Sequence, residues 1–263
     1  TQGGQQDDLL GADQLLNTGF TIAPLQGHLF DPKQTPLLGS VKLRNRVLQR
    51  VIERVRLAPG IDEVMVATSI GDEEEPIVNL CHDLATLVSR GSPDDVLERY
   101  HEAAAFAKAD VIVRITSDCP LISPSISGKV VAAFLNAGGS CDYASNVLAR
   151  TYPRGLDTEV FARAALDVAH QEATAAPDRE HVTPFIWRQP QRFTLLDVTE
   201  VDDHSDLRWT VDTPQDYELV RRIYSGFTGR ETTFDYRDAL ALLDHNPEWR
   251  ALNADVKQKH YGE

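Results

Sequence analysis

Between Leu43 and Asp118 the sequence passes three times from a helical pattern into a strand-like one, and this alternation restricts the fold more than any other feature. Leu43, Val47, Val51, Ile52 and Val55 share one face at helical spacing, with Arg and Glu between them, until Pro59-Gly60 ends the helix. A strand follows at 63–68, then a helix at 76–86 and a short strand at 87–89. Ser92-Pro93-Asp94-Asp95 reads as a helix start, with Ser92 as N-cap, proline at the first position and acids in the first turn, and this helix runs to about Ala109. Val111-Ile112-Val113-Arg114-Ile115 is a β-branched run of the kind buried on both faces in a parallel sheet, and the polar turn Thr116-Ser117-Asp118 closes it. Further on, helices are predicted at 124–137, 163–175, 214–224 and 236–243, and strands at 142–146, 158–161, 192–198 and 207–210. The expected fold class is α/β, a three-layer αβα sandwich with a mostly parallel sheet, in which ligands sit beyond the carboxyl ends of the strands.

Charge narrows the partners. With 26 Lys plus Arg against 40 Asp plus Glu the net charge is −14, which repels a polyphosphate backbone and an anionic lipid surface, so no nucleic acid and no membrane is expected. No apolar run approaches the length of a membrane span. Cys81, Cys119 and Cys141 form no C-x-x-C pair, and reduced thiols in a cytoplasm are the expectation. Residues 1–42 stand apart. Residues 1–36 are rich in Gln, Gly, Asp, Leu and Pro, start without Met, follow neither period convincingly, and hold one strand-like piece, Phe20 to Ala23. Residues 1–42 read as an atypical leader, and 43–263 as a single domain.

Residues just after strands are the candidates for chemistry. Asp118 and Asp212 follow two strand-like runs and could converge on one divalent cation, since magnesium takes one or two protein carboxylates and completes its shell with water and phosphates. On the residues alone Asp118 reads equally as a turn former, whereas Asp212-Thr213-Pro214 reads first as a helix start. Arg90-Gly91-Ser92 joins a charged donor, a permissive backbone and a helix N-terminus, suited to a phosphate or a base edge or to an ordinary turn. Tyr152-Pro153-Arg154-Gly155-Leu156-Asp157-Thr158-Glu159 gathers a rigid turn, a glycine and carboxylates, as a hydroxyl-rich ligand or a solvated loop would. Arg179-Glu180-His181 reads as part of an exposed helix.

Taken together, these blocks resemble the cytidylyltransferase-like nucleotidyltransferases of the spore-coat polysaccharide biosynthesis type, relatives of the CMP-sugar synthetases. The resemblance starts near Leu48 and follows the family's order. It rests on Val51-Ile52-Glu53-Arg54-Val55, Val66-Ala67-Thr68-Ser69, Arg90-Gly91-Ser92 through Tyr100, and Arg114-Ile115-Thr116-Ser117-Asp118-Cys119-Pro120-Leu121. Asp142 to Asn146, Pro153 to Glu159, Arg179 to Pro184 and Leu207 to Pro214 continue it. The resemblance implies a glycosyltransferase-A-like, Rossmann-like fold and transfer of a cytidylyl group from CTP to an acidic or modified sugar, as a step toward surface polysaccharide. It implies Mg2+ held by Asp118 and Asp212, a nucleotide wall of Ala67, Thr68, Arg90, Gly91 and Ser92 with Arg114, a sugar side of Asn146, Asp157, Glu159 and His181, and a homodimer.

One departure stands beside the match. The family opens with a strand and a loop similar to Gln-Ala-Arg-Met-Gly-Ser-x-Arg-Leu-Pro-Gly-Lys, whose donors hold the triphosphate. Here Leu25 to Lys33 stands in that place, with no arginine before Arg44, so the first strand and the phosphate loop are expected to be missing or replaced. Three readings stay open: an active enzyme in which Lys33, Lys42, Arg44 or Arg46 substitutes, a catalytically impaired binding relative, or a frame-shifted N-terminus on an otherwise normal enzyme.

Overall fold

The computed structural model describes residues 18–23 and 41–257. In chain order the elements are β1 (Thr18–Ala23), α1 (Val41–Val55), β2 (Glu63–Ser69), α2 (Glu75–Asp83), β3 (Leu87–Gly91), α3 (Val96–Ala107), β4 (Val111–Thr116), α4 (Pro124–Asn136), β5 (Tyr143–Ser145), β6 (Glu159–Ala162), α5 (Arg163–Glu172), α6 (Ala176–His181), α7 (Pro184–Trp187), β7 (Leu195–Asp197), α8 (Pro214–Ser225), α9 (Tyr236–His245) and α10 (Pro247–Arg250). The strands form one seven-stranded sheet in the order β3-β2-β1-β4-β6-β5-β7. All pairings are parallel except those of β6, which runs against both β4 and β5.

Alternation along β4 builds the layers. Val111, Val113 and Ile115 pack with Val51, Ile52 and Val55 of α1 and with Val130 and Val131 of α4. Ile112 faces the other way, onto Leu97 and Tyr100 of α3 and Leu166 of α5. Each such side chain withdrawn from water contributes about 1.5–3 kcal/mol, which is why a run apolar on both faces must sit inside a sheet covered twice. A third apolar cluster joins α8 and α9 to Trp209, Val211, Tyr152 and Leu156. Buried Arg54 ties these parts together, donating to the carbonyls of Ile122, Glu231 and Phe234 at 2.7, 3.1 and 2.9 Å.

Several expectations are corrected. The central strand is present: β1 sets Phe20 opposite Val64 on one side and Val113 on the other, filling backbone edges of β2 and β4 that would otherwise lack partners. The Leu25 to Lys33 segment lies outside the described residues. Helix α3 starts later than expected. Its N-cap is Asp95, which accepts from the Glu98 amide at 2.9 Å, whereas the Ser92 hydroxyl is engaged by the Asp94 amide at 3.3 Å. Residues 207–210 form no strand, only a single parallel bridge between Arg154 and Arg208: the Leu207 amide turns back onto the His204 carbonyl, and beyond the segment the Val211 amide leaves for the Asp118 carbonyl. The strand expected at 192–198 shrinks to Leu195–Asp197, and the helix expected to reach residue 175 ends at Glu172.

Candidate active site

The parallel register places the ends of β2, β3 and β4 along one edge of the sheet, with Thr68 beside Arg90 and Ser69 beside Gly91. At this edge the turn after β4 carries Asp118. The segment before α8 is laid against it by a hydrogen bond from the Val211 amide to the Asp118 carbonyl, 2.9 Å. That contact brings Asp212 to Asp118 across a long stretch of sequence. The cap of α8 is Thr213, in a capping box with Asp216, so Asp212 is not consumed as a helix cap.

The two carboxylates strain against each other. Burial pushes the Asp118 carboxyl above its ordinary range, and the Asp157 charge adds to this. Burial and then the Asp118 charge push Asp212 up to about 6. One carboxylate oxygen of Asp212, Oδ2, accepts from Arg208 and from the Thr210 hydroxyl, the latter at 3.1 Å. The other, Oδ1, is buried without a hydrogen-bond partner. Two mutually repelling carboxylates and an orphaned anionic oxygen fit a divalent cation, whose charge would relieve both. Among the described residues no group of three or more His, Cys, Asp or Glu is placed to hold a metal.

Arg208 is itself oriented from behind. Its Nε donates to Asp216 at 3.1 Å, while Asp216 accepts from the Asp212 and Thr213 amides at 3.1 and 2.9 Å. Asn253, buried after α10, donates to the Arg208 carbonyl and to Asp216, both at 2.8 Å. Arg208, Asp216 and Asn253 were not singled out from the sequence. The Arg208-Asp212-Asp216 spacing of four was visible, but nothing local showed that it would close on Asp118.

The Pro153–Glu159 block packs against the same segment. The Arg154 amide donates to the Leu207 carbonyl at 2.9 Å and the Trp209 amide to the Arg154 carbonyl at 2.7 Å. Gly155 has φ +100°, and a Cβ there would stand 2.7 Å from the Trp209 carbonyl carbon, so this approach requires glycine. Asp157 is held bidentately by Arg150 at 2.5 and 2.7 Å. Asn146 is buried and spends both ends of its amide on this loop, donating to the Leu156 carbonyl and accepting from the Thr158 amide, each at 2.8 Å.

Arg114 and Glu159, expected on the nucleotide and sugar sides respectively, pair with each other. Glu159 also accepts from the hydroxyls of Tyr143 at 2.7 Å and Thr183 at 2.5 Å. Burial works against the Arg114 charge, but the Glu159 carboxylate more than offsets it and holds the guanidinium above its ordinary range. His181 lies close enough to feel this pair. It is half-buried at the end of α6 rather than on an exposed helix, and burial pulls it below the ordinary imidazole range.

On the nucleotide wall Ala67 and Thr68 are fully buried, and the Thr68 hydroxyl donates to Glu74 at 3.3 Å. Arg90 is turned onto its own surroundings: it donates to the Ser69 and Gly71 carbonyls at 3.2 and 2.8 Å and pairs with Glu75. Gly91 passes so near Arg99 and Glu102 that a Cβ would meet them at 2.9 and 2.7 Å.

A family model described as cytidylyltransferase matches residues 43–243, from the start of α1 into α9. The chain belongs to the cytidylyltransferase family. It is 36% identical over 236 residues to an uncharacterised protein of Methanocaldococcus jannaschii, covering 86% of this chain and 94% of that one. It is 28% identical over 214 residues to the spore coat polysaccharide biosynthesis protein SpsF of Bacillus subtilis, covering 80% and 87%. Among solved structures, a cytidylyltransferase from Leptospira borgpetersenii superposes with TM-score 0.81 at 27% identity, over 93% of this chain and all of that one. CMP:2-keto-3-deoxy-manno-octonic acid synthetase complexed with CTP superposes with TM-score 0.57 at 16% identity, over 80% and 99%, a likeness of fold. The glycosyltransferase-A-like nucleotidyltransferase fold is therefore shared, and the residues that line the carboxyl edge of this chain's sheet fall within the family match. No helix among the described residues is long and apolar enough to cross a membrane.

Proposed function

We propose that this cytidylyltransferase moves the cytidylyl group of CTP onto a hydroxyl of an acidic or modified sugar, releasing pyrophosphate and supplying a nucleotide-activated sugar for surface polysaccharide. The observation that carries this reading is the Asp118–Asp212 pair, with its mutual repulsion and the orphaned Oδ1, at the carboxyl edge of a parallel sheet in a cytidylyltransferase. In the reaction the acceptor oxygen forms a bond to the α-phosphorus, the bond to the β-phosphate oxygen breaks, the pyrophosphate takes that electron pair, and the hydroxyl proton is lost. The protein's part is to align the two substrates and to balance charge. Asp118 and Asp212 would hold Mg2+, which when bound supplies Lewis-acid neutralisation of phosphate oxygens. Arg208 and Asp216 fix the Asp212 carboxylate. Ala67, Thr68, Arg90, Gly91 and Ser92 shape the base and ribose side. Asn146, Asp157 and Glu159 pin the loop that shapes the acceptor side, where His181 also lies.

The test is pyrophosphate release by the full chain with CTP, Mg2+ and a panel of sugar acids, with ATP, GTP and UTP run alongside. Release that depends on CTP and on one sugar supports the reading. A chain inert with every sugar, yet raised in melting temperature by CTP, would transfer the assignment to a binding relative.

A further inference from the structure

Beneath the loop that follows β3 a charge is buried. Arg99 of α3 is 2% exposed, and its guanidinium reaches back under the loop, where Nη1 donates to the Ser92 carbonyl at 2.5 Å and to the Pro93 carbonyl at 3.3 Å. The Gly91 carbonyl is taken as well, by the Ile70 amide at 3.2 Å. Gly91 lets the chain come down onto this side chain, since a Cβ there would stand 2.9 Å from the Arg99 Cγ. Burial pulls the guanidinium below the ordinary arginine range, and the Glu74 and Asp95 carboxylates act against that. A buried charge with its partners is often no more stabilising than apolar side chains of the same volume, so packing alone does not account for an arginine here.

We propose that Arg99 is a positioning residue for the choice of nucleotide, holding the carbonyls of the Ser92 loop inward so that the loop meets the base with donors. The inference rests on the cytidylyltransferase reading of this site and names how its base side tells CTP from UTP. Three consecutive carbonyls, those of Gly91, Ser92 and Pro93, are engaged within the protein, and proline has no amide hydrogen. What the loop keeps to offer is the Ser92 amide, without a backbone partner among the described residues, and the Ser92 hydroxyl hydrogen, its oxygen already accepting from the Asp94 amide at 3.3 Å. Cytosine presents an acceptor at N3 where uracil presents N3–H, so a loop of donors pairs with the first and meets the second donor to donor. Polar groups left unpaired in this way are the mismatch that sites reject most strongly. Without Arg99 the Ser92 carbonyl is free to turn an acceptor toward the base, and the distinction fades.

The test uses the full chain with Mg2+ and measures equilibrium binding of CTP and of UTP, with the melting temperature followed alongside. The wild type is expected to bind CTP more tightly than UTP by about tenfold or more. Arg99→Met should bring the two affinities to within about threefold of each other by weakening CTP, with UTP changed by less than about twofold. Arg99→Lys, which keeps the charge and one donor to a carbonyl but not the guanidinium geometry, should lie between the two. The ratio is the decisive reading, because a loop that merely collapses weakens both nucleotides in parallel. Parallel loss of CTP and UTP, or a wild-type ratio kept by Arg99→Met, would each overturn the proposal. Where Arg99→Met does not fold, Arg99→Lys decides, and a wild-type ratio in that variant overturns it. A chain that binds neither nucleotide would overturn the transferase reading and the Arg99 assignment together, whereas equal binding of CTP and UTP by the wild type would overturn the Arg99 assignment alone.

Discussion

Two charged clusters lie within the same sheet, and they are built on opposite terms. Around Glu159 the charges balance: Arg114 supplies the counter-charge, with only its Nε left buried and without a hydrogen-bond partner, and Tyr143 and Thr183 donate to one oxygen. Around Asp118 and Asp212 the demands conflict, since two carboxylates face each other, Asp212 is pushed up to about 6, and one oxygen has no partner. A balanced buried pair holds elements together, here β4, β5, β6 and the start of α7. An unbalanced one stores a requirement that a ligand can satisfy.

The comparison breaks most sharply at Glu159. Glu159→Ala leaves Arg114 buried and unpaired, and urea unfolding should show a loss of about 3–5 kcal/mol. The paired replacement Arg114→Met with Glu159→Leu should recover most of it, and a failure to recover would mean that the pair does more than balance charge. Asp118→Asn should cut pyrophosphate release by about 10²–10³-fold, the magnitude of losing one preorganised charge-stabilising group. An unchanged rate would sink the metal assignment.

A smaller effect is expected from behind the site. Asn253→Ala removes donors to Asp216 and the Arg208 carbonyl, and should raise the Mg2+ concentration needed for half-maximal rate by about 3- to 10-fold, with the CTP KM unchanged. The smallest effect runs in the stabilising direction. Because the folded-state pKa of Asp212 is raised, its proton is favoured in the folded state, and its charge destabilises that state once pH exceeds about 6. Asp212→Asn should therefore raise the metal-free melting temperature by about 2–4 °C at pH 8 and leave it unchanged near pH 3, where folded and unfolded chains are both protonated. A lower melting temperature at pH 8 would show that the Arg208 pair outweighs the repulsion.

Much of this was legible in the sequence, because local patterns report local demands. The β-branched run at 111–115 could only be a covered strand, and the blocks ending in Asp118 and Asp212 could be ranked by their place after strand-like runs. Three things were not legible. β1 carries a short, weak pattern in a discordant stretch, and its strand state is imposed by the open edges of β2 and β4. Residues 207–210 have strand-like composition, yet their backbone bonds go to Arg154 and His204 rather than along a neighbouring strand. Arg114 and Glu159 read as separate ligands because nothing in either local context reveals a partner 45 residues away.

By itself the sequence determined the α/β class, the helix and strand periods, and which carboxylates end a strand, since burial periodicity and turn chemistry act over a few residues. Only the tertiary structure decided which charges are neutralised and which are left exposed to one another, because that depends on distances of a few ångströms between segments far apart in the chain. The pairing of Glu159 with Arg114 and the approach of Asp212 to Asp118 belong to this second kind. They follow from how β4, the loop before β6 and the segment before α8 are brought to one edge of the sheet.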